Sequence, residues 1–136
     1  MYHKATVNLI FTGKWIVQFH ADIFKSYNLT LQQYNILRIL RGRYPEATTI
    51  KLIRERMLDR MSDASRIVEG MRKKGLLERI THSTDRRRMD VSINQKGLVL
   101  LEEIDSRENE KLDKQLTTLS ESEIEQLNFL LDKLRH

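Results

Sequence analysis

Between Leu76 and Gly97 the chain reads LLERITHSTDRRRMDVSINQKG. Two β-prone runs, about 77–82 and 89–94, flank a loop holding three consecutive arginines, Arg86, Arg87 and Arg88. Their alternation is imperfect, but Ile80, Val91 and Ile93 can share one face. Just before them, Asp59–Lys74 has the period and the charge of a basic amphipathic helix. A helix followed by a basic hairpin suits duplex nucleic acid. The helix can fill a major groove, and the hairpin can reach the backbone or the neighbouring minor groove.

The rest of the chain reads as helical. One proline and five glycines in 136 residues leave few tight turns, and the length suits one domain. A helix over 5–27 carries Ile16, Phe19, Ile23 and Tyr27 at three- and four-residue steps, extended by Val7, Ile10 and Phe11. So broad an apolar surface exceeds the needs of a two-layer core and suggests a partner chain. Thr30–Gln33 is a capping box opening a helix over 31–42, with Tyr34, Leu37 and Leu40 inward. Thr49 caps a short helix over 50–57, with Ile50, Ile53 and Met57 inward. The basic helix over 60–74 buries Ala64, Ile67, Val68 and Met71. Asp59, in preference to Ser62, caps it, and Gly75 stops it. Asn94 caps a long helix over 95–117 with the stripe Leu101, Ile104, Leu112 and Leu116. A second capping box, Ser120–Glu123, opens a last helix whose Ile124, Leu127, Leu131 and Leu134 form a seam with nothing after it to cover it.

Charge is unevenly distributed. Residues 1–53 and 54–96 each carry a net +5, whereas residues 97–136 carry −5. The middle attracts phosphate and the C-terminal third repels it. The chain has no cysteine, which excludes disulfides, thiol chemistry and cysteine-ligated zinc. The four histidines, His3, His20, His82 and His136, lack the spacing of a metal site. No phosphate loop or nucleophile elbow is present, so neither an enzyme nor a cofactor is expected. No signal-peptide pattern and no apolar run near the roughly 18 residues of a membrane span occur, so the expected location is cytoplasmic, away from membranes.

Two short helices and a hairpin make a winged helix-turn-helix. The outer face of the 60–74 helix presents Arg60, Ser62, Asp63, Ser65, Arg66 and Glu69. Arg66 is the best candidate for donating two bonds to a guanine. Lys51, Arg54, Lys73 and Lys74 lie where phosphates would pass, and Thr49 is a further candidate for DNA contact. At the hairpin tip, Asp85 stands two positions before Arg87. The acid can hold that arginine extended for a narrow minor groove, while Arg86 and Arg88 turn toward phosphates.

The segment Leu29–Leu101, through LTLQQYNILRIL, TIKLIRERM, MSDASRIVEGMRKKGLLER and TDRRRMDVSINQKGLVLL, resembles the MarR (multiple-antibiotic-resistance regulator) family of transcriptional regulators. The resemblance implies a mainly α fold with a small β-hairpin wing. Residues 5–28 would be an N-terminal dimerisation helix, 30–95 the winged DNA-binding region and 96–136 the C-terminal dimerisation helices. It further implies a homodimer on a palindromic operator in double-stranded DNA, acting as a repressor. Asp85 and Arg87 would take the wing roles, and Ser62, Ser65 and Arg66 the helix contacts. Asn94 stands where the family usually has Thr, and also caps well. Oxidant sensing through cysteine is closed to this chain. Other members bind small aromatic acids between the dimerisation helices and the DNA-binding part, and Phe11, Trp15, His20 and Tyr34 can line such a pocket. One alternative is a helical protein-interaction adaptor without DNA readout, which would need an apolar outer face on the 60–74 helix. Another is structured RNA, which would gain nothing from a palindrome.

Overall fold

A computed structural model describes residues 1–59, 63–81, 84–85 and 87–136. The expected helix start at 60–62, the strand end at 82, and the candidates Arg60, Ser62 and Arg86 lie outside the described residues. The order is α1 (Tyr2–Lys25), α2 (Leu31–Arg43), β1 (Thr48–Thr49), α3 (Ile50–Arg56), α4 (Ala64–Lys73), β2 (Leu77–Thr81), β3 (Met89–Ile93), α5 (Gln95–Leu116) and α6 (Glu121–Arg135).

Local chemistry sets most boundaries. Both capping boxes form: Thr30 Oγ1 accepts from the Gln33 N–H, and Ser120 Oγ from the Glu123 N–H. The bonds from the Ser120 N–H and hydroxyl to the Glu123 carboxyl also hold its pKa below the usual carboxylate value. Asn94 Oδ1 accepts from the Gly97 N–H at 2.9 Å and starts α5. Gly75, at φ 77°, ends α4 in the left-handed region that a side chain disfavours.

The cap of α4 corrects an expectation. Asp63, not Asp59, supplies the acceptor, taking the Arg66 N–H at 3.2 Å, and the helix begins at Ala64. An N-cap carboxylate reaches the amide three residues on. From Asp63 that choice makes Ala64, which is fully buried, the first helical residue.

The sheet has three strands rather than two, in the order β1-β3-β2, all antiparallel. Thr48 pairs with Val91 and Thr49 with Asp90. The register also moves Ile80. Leu77 faces Ile93 and Arg79 faces Val91, so Ile80, opposite Asp90, projects from the other side. Val91 and Ile93 are buried and Ile80 is exposed.

The core gathers Ile23 and Phe24 of α1, Ile36, Leu37 and Leu40 of α2, Ile53, Met71, and Leu101 and Ile104 of α5. On α1 only Ile23 and Phe24 are buried; Ile16, expected inward, is exposed, as are Val7, Ile10 and Phe11. No residue of α6 is buried, and Leu127, Phe129, Leu130 and Leu134 are open. The winged unit is therefore fully packed on its inner side, while both ends of the chain expose apolar surface. Among the described residues, no helix is long and apolar enough to cross a membrane.

Candidate nucleic-acid interface

Helix α4 is held from below. Ala64, Val68 and Met71 are buried, and the remaining faces point outward. Ser65, Arg66 and Lys73 all stand on the exposed side. Arg66 opens onto a groove of about 390 Å³ lined also by Gln32, Gln33, Asp63, Ile67 and Gly70. The acid on this face is paired: Glu69 receives Arg72 Nε and Nη2 at 3.0 and 2.7 Å. That bond draws the Glu69 carboxyl below the usual range and raises the Arg72 guanidinium.

The wing tip is an Asx turn. Asp85 Oδ1 accepts from the backbone N–H of Arg87 at 3.0 Å, and Asp85 O from the Arg88 N–H at 3.2 Å. The carboxylate therefore orders the backbone that carries Arg87. It does not grip the guanidinium, as the two-residue spacing had suggested; among the described residues Arg87 has no ion-pair partner. Arg88 turns back toward the sheet, with Nε 3.4 Å from Asp90 Oδ1.

Other candidates are redistributed. The Thr49 hydroxyl is committed to capping α3, accepting from the Leu52 N–H at 3.2 Å. Lys51 is exposed on the first turn of α3 and lines a groove of about 330 Å³ with Arg43, Arg88, Thr48, Glu55 and Asp90. Arg43 went unnoticed because it stands at the end of a helix whose inward stripe is apolar. Its convergence with Lys51 and Arg88 needs the sheet. Lys74 is structural: Nζ donates to Asn28 O at 2.6 Å, tying α4 to the α1–α2 turn.

A second site lies behind the winged unit. A cavity of about 370 Å³ is lined by Ile16, Val17 and His20 of α1, Leu31, Tyr34, Asn35 and Arg38 of α2, Leu58, and Glu108 of α5. His20 and Tyr34 are there, as expected. Phe11 and Trp15 are not: at 100° per residue they lie about 170° and about 150° from the mean direction of Ile16, Val17 and His20 on α1. They are 75% and 45% exposed. Trp15 instead begins an aromatic row through Phe19, His20 and Phe24 to Tyr34, whose last pair stacks at 4.3 Å.

Beside this cavity a polar cluster forms around the buried Tyr34 and Glu108. The Tyr34 hydroxyl lies 2.7 Å from Glu108 Oε2 and 2.8 Å from Asp105 Oδ1, and accepts from Arg38 Nη1 at 3.2 Å. Asp105 also receives Arg41 Nη1 at 2.6 Å, and Glu108 Oε1 contacts His20 Nδ1. Burial, then the bonds to the two carboxylates, push the Tyr34 phenol above its ordinary pKa of 10.0. The bond to Tyr34 raises the Arg38 guanidinium. Glu108 could have been found from sequence. It falls on the apolar stripe of α5, four residues from both Ile104 and Leu112, where an acid needs a partner.

A basic α4 and a basic wing, side by side on a winged helix-turn-helix, match known proteins. The sequence model of the MarR family covers residues 27–88. The HTH-type transcriptional regulator MgrA of Staphylococcus aureus is 30% identical over 114 residues, 84% of this chain and 75% of that protein. The chain belongs to the MarR family. Like other MarR-family proteins, it is a DNA-binding transcriptional regulator and not an enzyme. The MarR transcription factor from Planctomyces limnophilus superposes with a TM-score of 0.77 at 27% identity, covering 97% of this chain and 96% of that one. The fold also matches the S. aureus MepR–DNA complex, with a TM-score of 0.80 at 22% identity over 95% and 93% of the chains. The organohalide-sensing regulator RdhR-CbdbA1625, in its 2,4-dichlorophenol-bound form, gives 0.85 at 21% identity over 98% and 79%.

Proposed function

We propose that this MarR-family chain works as a homodimeric repressor on a palindromic operator. Residues 5–28 and 96–136 would form the dimer, and residues 30–95 the DNA-binding part. The observation that carries the reading is the pairing of exposed Ser65 and Arg66 on α4 with the exposed, backbone-ordered Arg87 on the wing. The outer face of α4 is polar and basic, which favours DNA over a protein-docking adaptor. The uncovered apolar residues of α1 and α6 support pairing of two copies, since a lone protomer would leave them in water. A dimer would present two recognition helices about one DNA turn, roughly 34 Å, apart.

Phosphate contacts then supply salt-dependent affinity, and α4 and the wing supply sequence preference. Equilibrium binding to duplex DNA across salt tests this. With about six to ten phosphates neutralised, log affinity should fall with log salt at a slope of roughly −5 to −9. A flat response would remove the DNA reading.

The cavity beside His20 and Tyr34 supports a second element, release by a small aromatic effector. Its walls are largely apolar, and Arg38 offers donors toward an anionic or phenolic group. Adding 2,4-dichlorophenol, the ligand bound by the regulator RdhR-CbdbA1625, should weaken DNA binding. Unchanged DNA affinity at saturating phenol would count against this ligand class.

A further inference from the structure

We propose that Arg43, Lys51 and Arg88 together seat one backbone phosphate of bound DNA, on the flank of the wing and apart from Ser65, Arg66 and Arg87; this rests on the DNA-binding reading above and adds a contact to it.

Arg38, Arg41 and Arg43 share the last turns of α2, and the first two are matched. Arg38 Nη1 donates to the Tyr34 hydroxyl at 3.2 Å, and Arg41 Nη1 meets Asp105 Oδ2 at 2.6 Å. Arg43 is not matched. It is partly buried, its Nε is shut off from solvent, and among the described residues it has no hydrogen-bond or ion-pair partner. With Nε buried, the guanidinium is not a loose surface group. A partly buried cation without an acid is costly, and an anion from outside the chain relieves that cost.

The groove of about 330 Å³ that Arg43 lines brings two more cations to it. Lys51 comes from the first turn of α3, exposed and with no ion-pair partner among the described residues. Arg88 comes from the wing, its Nε toward Asp90 and 56% of its side chain exposed. Glu55 and Asp90 also line the groove, so three cations against two carboxylates leave a formal +1. Asp90 is buried and engaged by Arg88, which leaves the outer part of the groove to the cations and the exposed Glu55. Guanidinium and ammonium groups are the side chains that grip phosphate, the first through two parallel donors and the second as a point charge. The place in the fold suits the DNA backbone. Arg88 follows directly on Arg87, and a wing whose tip enters a minor groove, about 6 Å wide, has a phosphate chain along each flank. Lys51 stands on the helix that precedes α4, so the flank of the wing toward α3 is the one that carries the groove.

The test uses the full chain, a duplex selected from a random pool, and an unrelated duplex of equal length. Arg43→Gln and Lys51→Gln should each weaken both duplexes by the same factor, roughly three- to tenfold. Each should flatten the slope of log affinity against log salt by about 0.9 per protomer bound. Lys51→Gln, at an exposed position, should leave urea unfolding unchanged, so the test does not hang on Arg43→Gln alone. Replacing single linkages of the selected duplex by uncharged methylphosphonates then locates the contact. At one linkage per half-site the wild type should lose affinity, and both variants should be indifferent to the same replacement. Salt slopes unchanged in both variants would overturn the inference. So would losses confined to the selected duplex, or variants that are indifferent at different linkages. A wild-type protein that binds neither duplex would instead sink the DNA-binding reading, and this inference with it.

Discussion

Asp85 distinguishes two ways in which a carboxylate can serve an arginine at a wing tip. In the structure its Oδ1 accepts the backbone N–H of Arg87 at 3.0 Å, which leaves the guanidinium free for the DNA contact proposed above. The function needed at position 85 is then an acceptor, not a charge. Asp85→Ala removes one hydrogen bond at an exposed turn, worth about 0.5–1 kcal/mol toward ordering the tip. Because the turn is exposed, global stability should change by less than about 0.5 kcal/mol. DNA affinity should fall about two- to fivefold, since binding must now order the turn. Arg87→Ala leaves the turn intact but removes the contact itself, and should cost about 1–3 kcal/mol on the preferred site. Asp85→Asn is the decisive variant. Asparagine supplies the same acceptor in an Asx turn and withdraws a negative charge from the phosphates. Its affinity should equal or exceed that of the wild type. Fluorescence anisotropy with a labelled duplex at fixed salt measures all three. An Asp85→Asn variant as weak as Asp85→Ala would refute the reasoning and restore an ion pair with the guanidinium.

Three further outcomes follow from the packing and the buried cluster. A Cβ on Gly97 would stand 2.6 Å from Leu76 O and 2.7 Å from Ile93 Cγ1, so Gly97→Ala should destabilise by about 1–3 kcal/mol in urea unfolding; an unchanged midpoint would contradict the close approach of α5 to the wing. Tyr34→Phe leaves the buried Glu108 short of a partner and should cost about 1–3 kcal/mol near neutral pH. The Tyr34 phenol is held above its ordinary 10.0, so the folded state keeps this proton more firmly than the unfolded chain. The stability it contributes is complete below that value and is lost as pH rises beyond it. The wild-type advantage over Tyr34→Phe should narrow between about pH 9 and about pH 11, and a constant gap would argue against the raised pKa. Asn94→Ala removes both the cap of α5 and the bond to Gly75 O, and should lower stability by about 1–2 kcal/mol; a loss below about 0.3 kcal/mol would show that neither bond matters.

What was legible in the sequence was local. Thr30–Gln33, Ser120–Glu123, Asn94 and Gly75 announce helix ends through interactions three residues long or less, and each performs that role in the structure. The cap of α4 was placed at Asp59 in preference to Ser62, with Asp63 read as a residue of the outer face, because any of these side chains can cap. Only the buried position of Ala64 on the body singles out Asp63. The strand Thr48–Thr49 is too short to show a period of two and exists because β3 lies beside it. Ile80 was placed on the wrong face because hydrophobicity outweighed strict alternation from Leu77. The polar cluster joins Tyr34 to residues more than 70 positions away, beyond any local pattern. Charge segregation and the Asp-x-Arg tip pointed to the interface, but the convergence of Arg43, Lys51 and Arg88 needed the tertiary fold.

Selection of bound duplexes from a random pool tests most directly whether two copies set their α4 helices and wings on one stretch of DNA. The winners should share an inverted repeat whose halves are centred about one helical turn apart. Winners that share no sequence, or only a single unsymmetrical element, would contradict it.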